Sequence, residues 1–359
     1  MRNDFKSTPQ FNGTPIAFSK KPVVLTLAQS QLIEKTLTGL LMEVEDFTNK
    51  ALKDKSLLKA LNVPEDLDPT PTPLGLHIPF ARFDFLFDGK NIQSLELNTD
   101  GTSGYNVTEW VAAEAGIPAK ENPNHDLSAR VFSALKEHDP KAEEIILVDL
   151  PQIGTSWEQH DLVKRWQVLK PNSHFADPAF KSWKKGALCY RRILSWQLRS
   201  QPERAKEFLK DWKEKNITVV GGWSSDVGMS KAWPIFLKPK CFLETILLDK
   251  DSAKKLENEK DNWVIKGALS YSGQAVFRGI DLPAPRWNFC IEKALAETLQ
   301  GRHWIAQRRA EVPLVDGKPY ELGLYFLNGK PSGYMCRWGS SDAISETSDE
   351  ILRPIRIAT

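Results

Sequence analysis

Arg82-Phe83-Asp84-Phe85, followed by Glu96-Leu97-Asn98-Thr99-Asp100-Gly101-Thr102, is the stretch whose reading decides the fold. Asp84 ends one run of alternating apolar residues. Glu96 and Asn98 stand on the next, Ile92 to Asn98, with Phe87-Asp88-Gly89-Lys90-Asn91 between the two. Asp-Gly between such runs predicts a β-hairpin. Residues two apart on a strand share a face, so Glu96 and Asn98 point the same way, and a paired strand brings Arg82 and Asp84 alongside them. Two carboxylates, an amide oxygen and a guanidinium then converge. Mg²⁺ takes a few such oxygens and completes its shell with water and substrate phosphates, so the pattern predicts a magnesium-nucleotide site with Asp84, Glu96 and Asn98 as metal ligands. A polar outer face is the ordinary alternative for acidic residues on neighbouring strands. The rest of the chain decides between the two.

A chain of 359 residues suits two or three lobes that share a cleft. Lys and Arg total 48 against 46 Asp and Glu, a net charge of +2, so no nucleic-acid footprint is expected. Cys189, Cys241, Cys290 and Cys336 form no CxxC pair, and the six histidines are scattered, which points to reduced thiols rather than a disulfide frame or zinc site. The N-terminus has no apolar leader, and no stretch approaches the roughly 20 apolar residues of a membrane span. The expectation is a soluble cytoplasmic protein without membrane or nucleic-acid partners. Nothing in the sequence signals an oligomeric state.

Residues 1–25, rich in Pro, Lys and Asn, read as an irregular arm. Thr26 with Gln29 makes a capping box, after which Ile33, Leu37, Leu40, Leu41, Val44 and Phe47 recur at helical spacing. The Pro-rich segment 64–73 is a stiff connector into the hairpin, and a helix is expected near Asn106 to Ala115. Between about 140 and 235 short apolar runs alternate with helical segments. Glu144 to Asp149, Ala187 to Tyr190 and Ile217 to Gly222 read as strands of a parallel sheet, so this lobe looks Rossmann-like in architecture. It carries no GxGxxG, and no GxxxxGK[ST] phosphate loop occurs in the chain. In the last third, Val264-Ile265-Lys266 is a strand that ends in a lysine and runs into a flexible turn through Gly273. Strand-like runs follow at Trp304 to Arg308, Tyr320 to Leu327 and Gly333 to Arg337.

Taken in this order, the pieces resemble the glutathionylspermidine synthase family of carboxylate-amine ligases, which have a circularly permuted ATP-grasp fold. The family places an RFDF-like segment and an E-x-N-x-D-T-P segment first, then a Rossmann-like lobe. A helix lysine, a strand lysine with a Gly-rich loop, a glutamine-ended hinge strand and a late arginine follow. The resemblance covers roughly residues 75–359, and its most specific part is the first motif. It implies an α+β and α/β architecture in three parts: 1–139 with the arm, first helix and metal hairpin, 140–230 as the pre-ATP-grasp lobe, and 231–359 as the nucleotide lobe. Asp84, Glu96 and Asn98 match the magnesium ligands, and Arg82 the arginine that faces the reacting acyl phosphate. Lys231 and Lys266 match the lysines on the ATP phosphates, with Lys238 and Lys240 close enough to Lys231 to be aligned instead. Gly273 and Gln307 fall in the nucleotide-binding turn and hinge, and Arg337 matches a phosphate-binding arginine. Tyr190-Arg191-Arg192 resembles a strand end near the substrate cleft, with a structural ion-pair role as the alternative.

Two departures stand out: Gly101 and Thr102 replace the Thr-Pro of the second motif, and Lys266-Gly267 replaces Lys-Pro. Both put the donor and acceptor in question and leave the metal residues in place. No amidase nucleophile motif is present. The implied cofactors are ATP and Mg²⁺, and the implied partners are a small carboxylate, an amino acid or short peptide, and an amine. A carboxylate has no leaving group until ATP converts it to an acyl phosphate, and that chemistry needs charge neutralisation and alignment more than a protein nucleophile. A kinase on the same scaffold and a non-catalytic nucleotide-binding protein are the rival readings.

Overall fold

Thr26 starts the first long helix, as its spacing predicts. In the computed structural model, which describes residues 8–66, 68–181, 183–270, 275–339 and 350–358, α1 (Leu27–Ala51) is capped by a reciprocal pair. The Thr26 hydroxyl accepts from the Gln29 amide, and the Gln29 side chain accepts from the Thr26 amide. Caps of this kind contribute about 1 kcal/mol. All the residues predicted for its apolar face are buried, and Ser30, Thr48 and Ala51 are buried with them. The segment before it is more regular than an irregular arm. Gln10–Phe11 pairs with Thr14–Pro15, and β1 (Val23–Thr26) runs parallel to Ile355–Ala358, a partner too distant in sequence for local periodicity to reveal.

The predicted hairpin is β2 (Phe80–Phe87) and β3 (Ile92–Asn98). Asp88 shapes its turn by accepting from the amides of Lys90 and Asn91, and Gly89 takes a left-handed φ of 99°. The chain continues through α2 (Tyr105–Glu114) and α3 (Leu127–His138). A parallel sheet follows, built from β4 (Ile145–Val148), β5 (Ser173–Ala176), β6 (Leu188–Arg191) and β7 (Thr218–Val220), with α4 (Ser156–Leu169) as the crossover between β4 and β5. Its strand order is β5-β4-β6-β7. Three of these strands are the predicted ones. β5 was not legible, because Ser173-His174-Phe175-Ala176 is too short and polar to stand out.

A second antiparallel sheet is made of β8 (Thr245–Leu247), β9 (Trp263–Gly267), β10 (Val276–Arg278) and β11 (Trp304–Arg308), in the order β8-β11-β9-β10. The chain closes with β12 (Lys318–Leu327), β13 (Lys330–Trp338) and β14 (Ile351–Leu352). These last strands return to the hairpin and complete one large antiparallel sheet, β14-β13-β12-β2-β3. The first and last parts of the chain therefore share a sheet.

That sheet explains why all eight residues of β2 are buried. Phe83, Phe85 and Phe87 on β2, with Leu322, Leu324 and Phe326 on β12, pack against the apolar face of α1. On the opposite face Phe80, Tyr325, Leu327 and Met335 join the core under α2, α3 and the parallel sheet. Between those apolar ends lies a polar patch in the middle of a two-sided sheet. Among the described residues no helix is long and apolar enough to cross a membrane.

The parallel sheet carries a titrating group of its own. Asp149, just after β4, is 1% exposed, and burial raises its carboxyl to about 6 against the opposing pull of Arg192. A raised carboxyl adds stability that is complete below its unfolded value, about 3.8, and is lost as pH rises through about 6. Gln159 donates to Asp149, while its own Oε1 has no partner among the described residues, so an amide flip accommodates an asparagine. Asp149→Asn is therefore expected to remove the part of the fall in stability between pH 4 and 6 that Asp149 causes. Urea unfolding across that range checks it, and parallel profiles for the two proteins would contradict it.

Candidate functional site

Strand register assembles the site. On the sheet face turned away from α1, Arg82 stands opposite Asn98 and Tyr325, Asp84 opposite Glu96 and Gly323, and Glu321 opposite Arg337. Arg82 grips Asp84 on its own strand with two hydrogen bonds, Nε to Oδ1 at 2.6 Å and Nη2 to Oδ2 at 2.9 Å. Its Nη1 donates to the Ser103 carbonyl at 3.1 Å, and its guanidinium lies 5.8 Å from the Tyr325 ring centroid. Asn98 Nδ2 donates to Asp84 Oδ2 at 3.0 Å, and Arg337 Nη2 donates both to Asp84 Oδ2 at 2.8 Å and to Glu321. Gly323 makes room for this. A Cβ there would lie 3.0 Å from Arg82 Cδ and 3.1 Å from Asp84 Oδ1.

Burial by itself would raise the Asp84 carboxyl, but Arg82 and Arg337 outweigh it and hold the group at about 2. Asp84 is 1% exposed and Arg82 7%, so these are interior groups rather than the open cleft residues a ligand set implies. Burial likewise raises Glu321 despite Arg337, with Asp84 and Glu96 adding to the rise. Glu96 keeps a side chain 30% exposed and titrates below the usual range, because Lys231 and Lys266 overcome the effect of burial.

The second antiparallel sheet supplies the rest. Lys266, on β9, donates to Gln307 Oε1 on β11 at 2.9 Å. Gln307 Nε2 in turn lies 3.3 Å from both the Leu95 carbonyl of β3 and Thr245 Oγ1, so it joins the small sheet to the hairpin. Lys231 Nζ donates to the Ser270 carbonyl at 2.8 Å and lies 3.6 Å from Glu96 Oε2. It is not on a helix, as the motif order implied, but in the turn before Trp233–Leu237. Pro234 sits in the first turn of that helix, and extending the helix back to Lys231 would move the proline to a position whose amide must donate. Gly273 lies outside the described residues.

Eight of the nine site residues read from the sequence thus belong to one connected cluster. Glu321 was missed, although a signal existed: it is the one acid in the otherwise apolar run Tyr320 to Leu327. Arg191 and Arg192 have other work. Arg191 donates to the carbonyls of Ile193, Gly221 and Gly222 and pairs with buried Asp100 at 2.7 Å, while Arg192 lies 3.4 Å from Glu158. Arg191 ties the parallel sheet to the segment that leaves β3, and Arg192 ties the end of β6 to α4.

The donor set is oxygen-based, as Mg²⁺ prefers. Asp84 is nevertheless already engaged by two guanidiniums: Oδ2 accepts three hydrogen bonds, from Arg82, Asn98 and Arg337, and Oδ1 accepts one from Arg82. No group of three or more His, Cys, Asp or Glu that could hold a metal ion gathers among the described residues. As arranged, the cluster is an ion-pair network rather than a metal seat.

No protein-family model and no curated protein matches the chain. Solved structures do. A glutathione synthetase-like effector from Globodera pallida, in apo form, is 12% identical and superposes with a TM-score of 0.54 over 96% of this chain and 91% of its own. A proposed gamma-glutamylcysteine synthetase from Methylobacillus flagellatus is 11% identical, with a TM-score of 0.45 over 91% and 86%. At such identities the first likeness shows a fold: this chain shares the mixed α/β fold of a glutathione synthetase-like protein.

Proposed function

We propose that the chain is an ATP-dependent ligase of the circularly permuted ATP-grasp kind, joining a small carboxylate to an amine with glutathionylspermidine synthase-like chemistry. The observation that carries this reading is the convergence of Arg82, Asp84, Glu96, Asn98, Lys266, Gln307 and Arg337, from two antiparallel sheets, and of Lys231, from a turn, onto one cluster. A parallel sheet placed between those segments in the chain suits a Rossmann-like pre-ATP-grasp lobe.

In this reading Lys231 and Lys266 hold the terminal phosphates, with Gln307 setting the distance between the sheets. The γ-phosphoryl group passes to a carboxylate oxygen and ADP leaves. The amine nitrogen then attacks the acyl carbon, phosphate departs with that oxygen, and the nitrogen loses a proton. Arg82 is the donor for the oxyanion formed on attack, and a donor of that kind is worth about 3 kcal/mol of barrier.

The test is ADP release across amino acids, short peptides and polyamines, with mass spectrometry of products. With an ¹⁸O-labelled carboxylate, one label is expected in the released phosphate. AMP with pyrophosphate, or unlabelled phosphate accompanying amide formation, would refute the mechanism. A stable phosphorylated product would move the protein to the kinase reading. The pairing of Asp84 with both Arg82 and Arg337 favours a second reading, a nucleotide-binding protein without turnover, for which nucleotide binds and no acid and amine pair releases ADP.

A further inference from the structure

Among the described residues the hydrogen bonds of Arg82 and Arg337 go to Asp84, Glu321 and the Ser103 carbonyl. Both bonds from Arg337 leave one nitrogen, Nη2, and its side chain stays 12% exposed, so the rest of that guanidinium is the open side of the cluster. A third acid faces it. β14 pairs with β13 so that Leu352 stands opposite Arg337, and Leu352 joins the core on the sheet face turned away from α1. Glu350 lies two residues before Leu352, so the two-residue repeat of a strand puts it on that same face, diagonal to Arg337 and within reach of a long side chain. The charges around it agree. Burial raises the Glu350 carboxyl while Arg337 and Arg82 pull it down, and Asp84 adds to the rise.

Three carboxylates thus crowd two guanidiniums, and they are held unequally. Asp84 and Glu321 accept hydrogen bonds from the arginines, so displacing either would leave a buried donor without its anion, which is strongly unfavourable. Glu350 accepts none from Arg82 or Arg337 and is only partly buried, so it is the acid that gives way at least cost. We propose that Glu350 is a built-in competitor for the anionic group of the substrate: it occupies the open side of Arg337 and must yield that side to incoming phosphoryl oxygens. The exchange replaces one anion by another, so both guanidiniums keep their partners throughout. Affinity for the anion is lowered in proportion to the time that Glu350 holds the arginine. The choice of a phosphoryl ligand rests on the ligase reading. The exchange itself is tested with phosphate alone, without nucleotide, acid or amine, so it fails or holds separately from that activity.

The experiment is binding of inorganic phosphate to the full chain by calorimetry, with melting curves confirming that each variant is folded. Glu350→Gln keeps the size of the side chain and removes its charge. It should tighten phosphate binding about tenfold, as for a group held by its internal acid about nine-tenths of the time. In an Arg337→Gln background the same substitution should change nothing further, because the contested guanidinium is gone. A gain of equal size in both backgrounds is a general charge effect and overturns the proposal. An unchanged affinity in Glu350→Gln also overturns it and leaves the acid a purely structural role. If the wild type binds phosphate too weakly to measure, Glu350→Gln must bring binding into range, and its failure to do so counts against the proposal in the same way. Glu350→Ala and Arg337→Met replace either glutamine variant that does not fold.

Discussion

Asp84→Ala is expected to lower the unfolding free energy by about 3–5 kcal/mol, the usual cost of removing one partner from a buried ion pair. The residue is 1% exposed, and its loss leaves the buried Arg82 guanidinium, the partly buried Arg337 guanidinium and the Asn98 amide facing an empty space. Urea unfolding measures this directly. A loss below about 1 kcal/mol would put Asp84 in the class of exposed ion pairs and contradict the geometry. Inactivity of this variant therefore says nothing by itself about catalysis. Glu96→Ala is the cleaner probe, because a side chain 30% exposed with its lysine at 3.6 Å can be removed with a small change in stability. Loss of turnover in a folded Glu96→Ala protein would support a role in chemistry.

Lys266→Ala should weaken ATP binding by about 10- to 100-fold, the range expected when a charge-assisted hydrogen bond to phosphate is lost. Lys240→Ala should leave binding unchanged, since Lys240 is exposed and Lys231 is the lysine that reaches Glu96. Nucleotide titrations of both variants make the comparison. Equal losses would show that the phosphate end is not held where Lys266 and Gln307 meet.

The pH behaviour of the two carboxylate systems runs in opposite directions. Asp84, held at about 2, contributes stability above its unfolded value that disappears as pH falls through about 2. Asp149, raised to about 6, contributes in acid and loses that contribution on the way to neutrality. Both depend on burial, yet guanidiniums surround the first, while Arg192 only partly offsets the burial of the second. The difference is one of neighbours.

Locally encoded features were legible. The hairpin turn rests on Asp88 and Gly89 next to each other, the α1 cap on Thr26 and Gln29 three residues apart, and the shared face of Glu96 and Asn98 on the two-residue repeat of a strand. Lys231 lies beside Glu96 but off the helix that the motif order implied, because the constraint on where that helix starts comes from Pro234 rather than from the apolar spacing. Glu321 was invisible for a different reason. An acid in an apolar run is conspicuous, but its partner Arg337 becomes known only once β12 and β13 are paired.

By itself, the sequence determined which residues could do chemistry and how each short segment folds, since periodicity, caps and turns act over a few residues. Tertiary structure alone decided that β12 lies beside β2 and that Arg337 meets Asp84 across 253 residues of chain. That choice follows from burying both faces of one sheet, α1 on one side and α2, α3 and the parallel sheet on the other, a condition that no local pattern contains. The same burial turns the predicted ligand Asp84 into the centre of an ion-pair network, because a carboxylate removed from water must be matched by nearby positive charge.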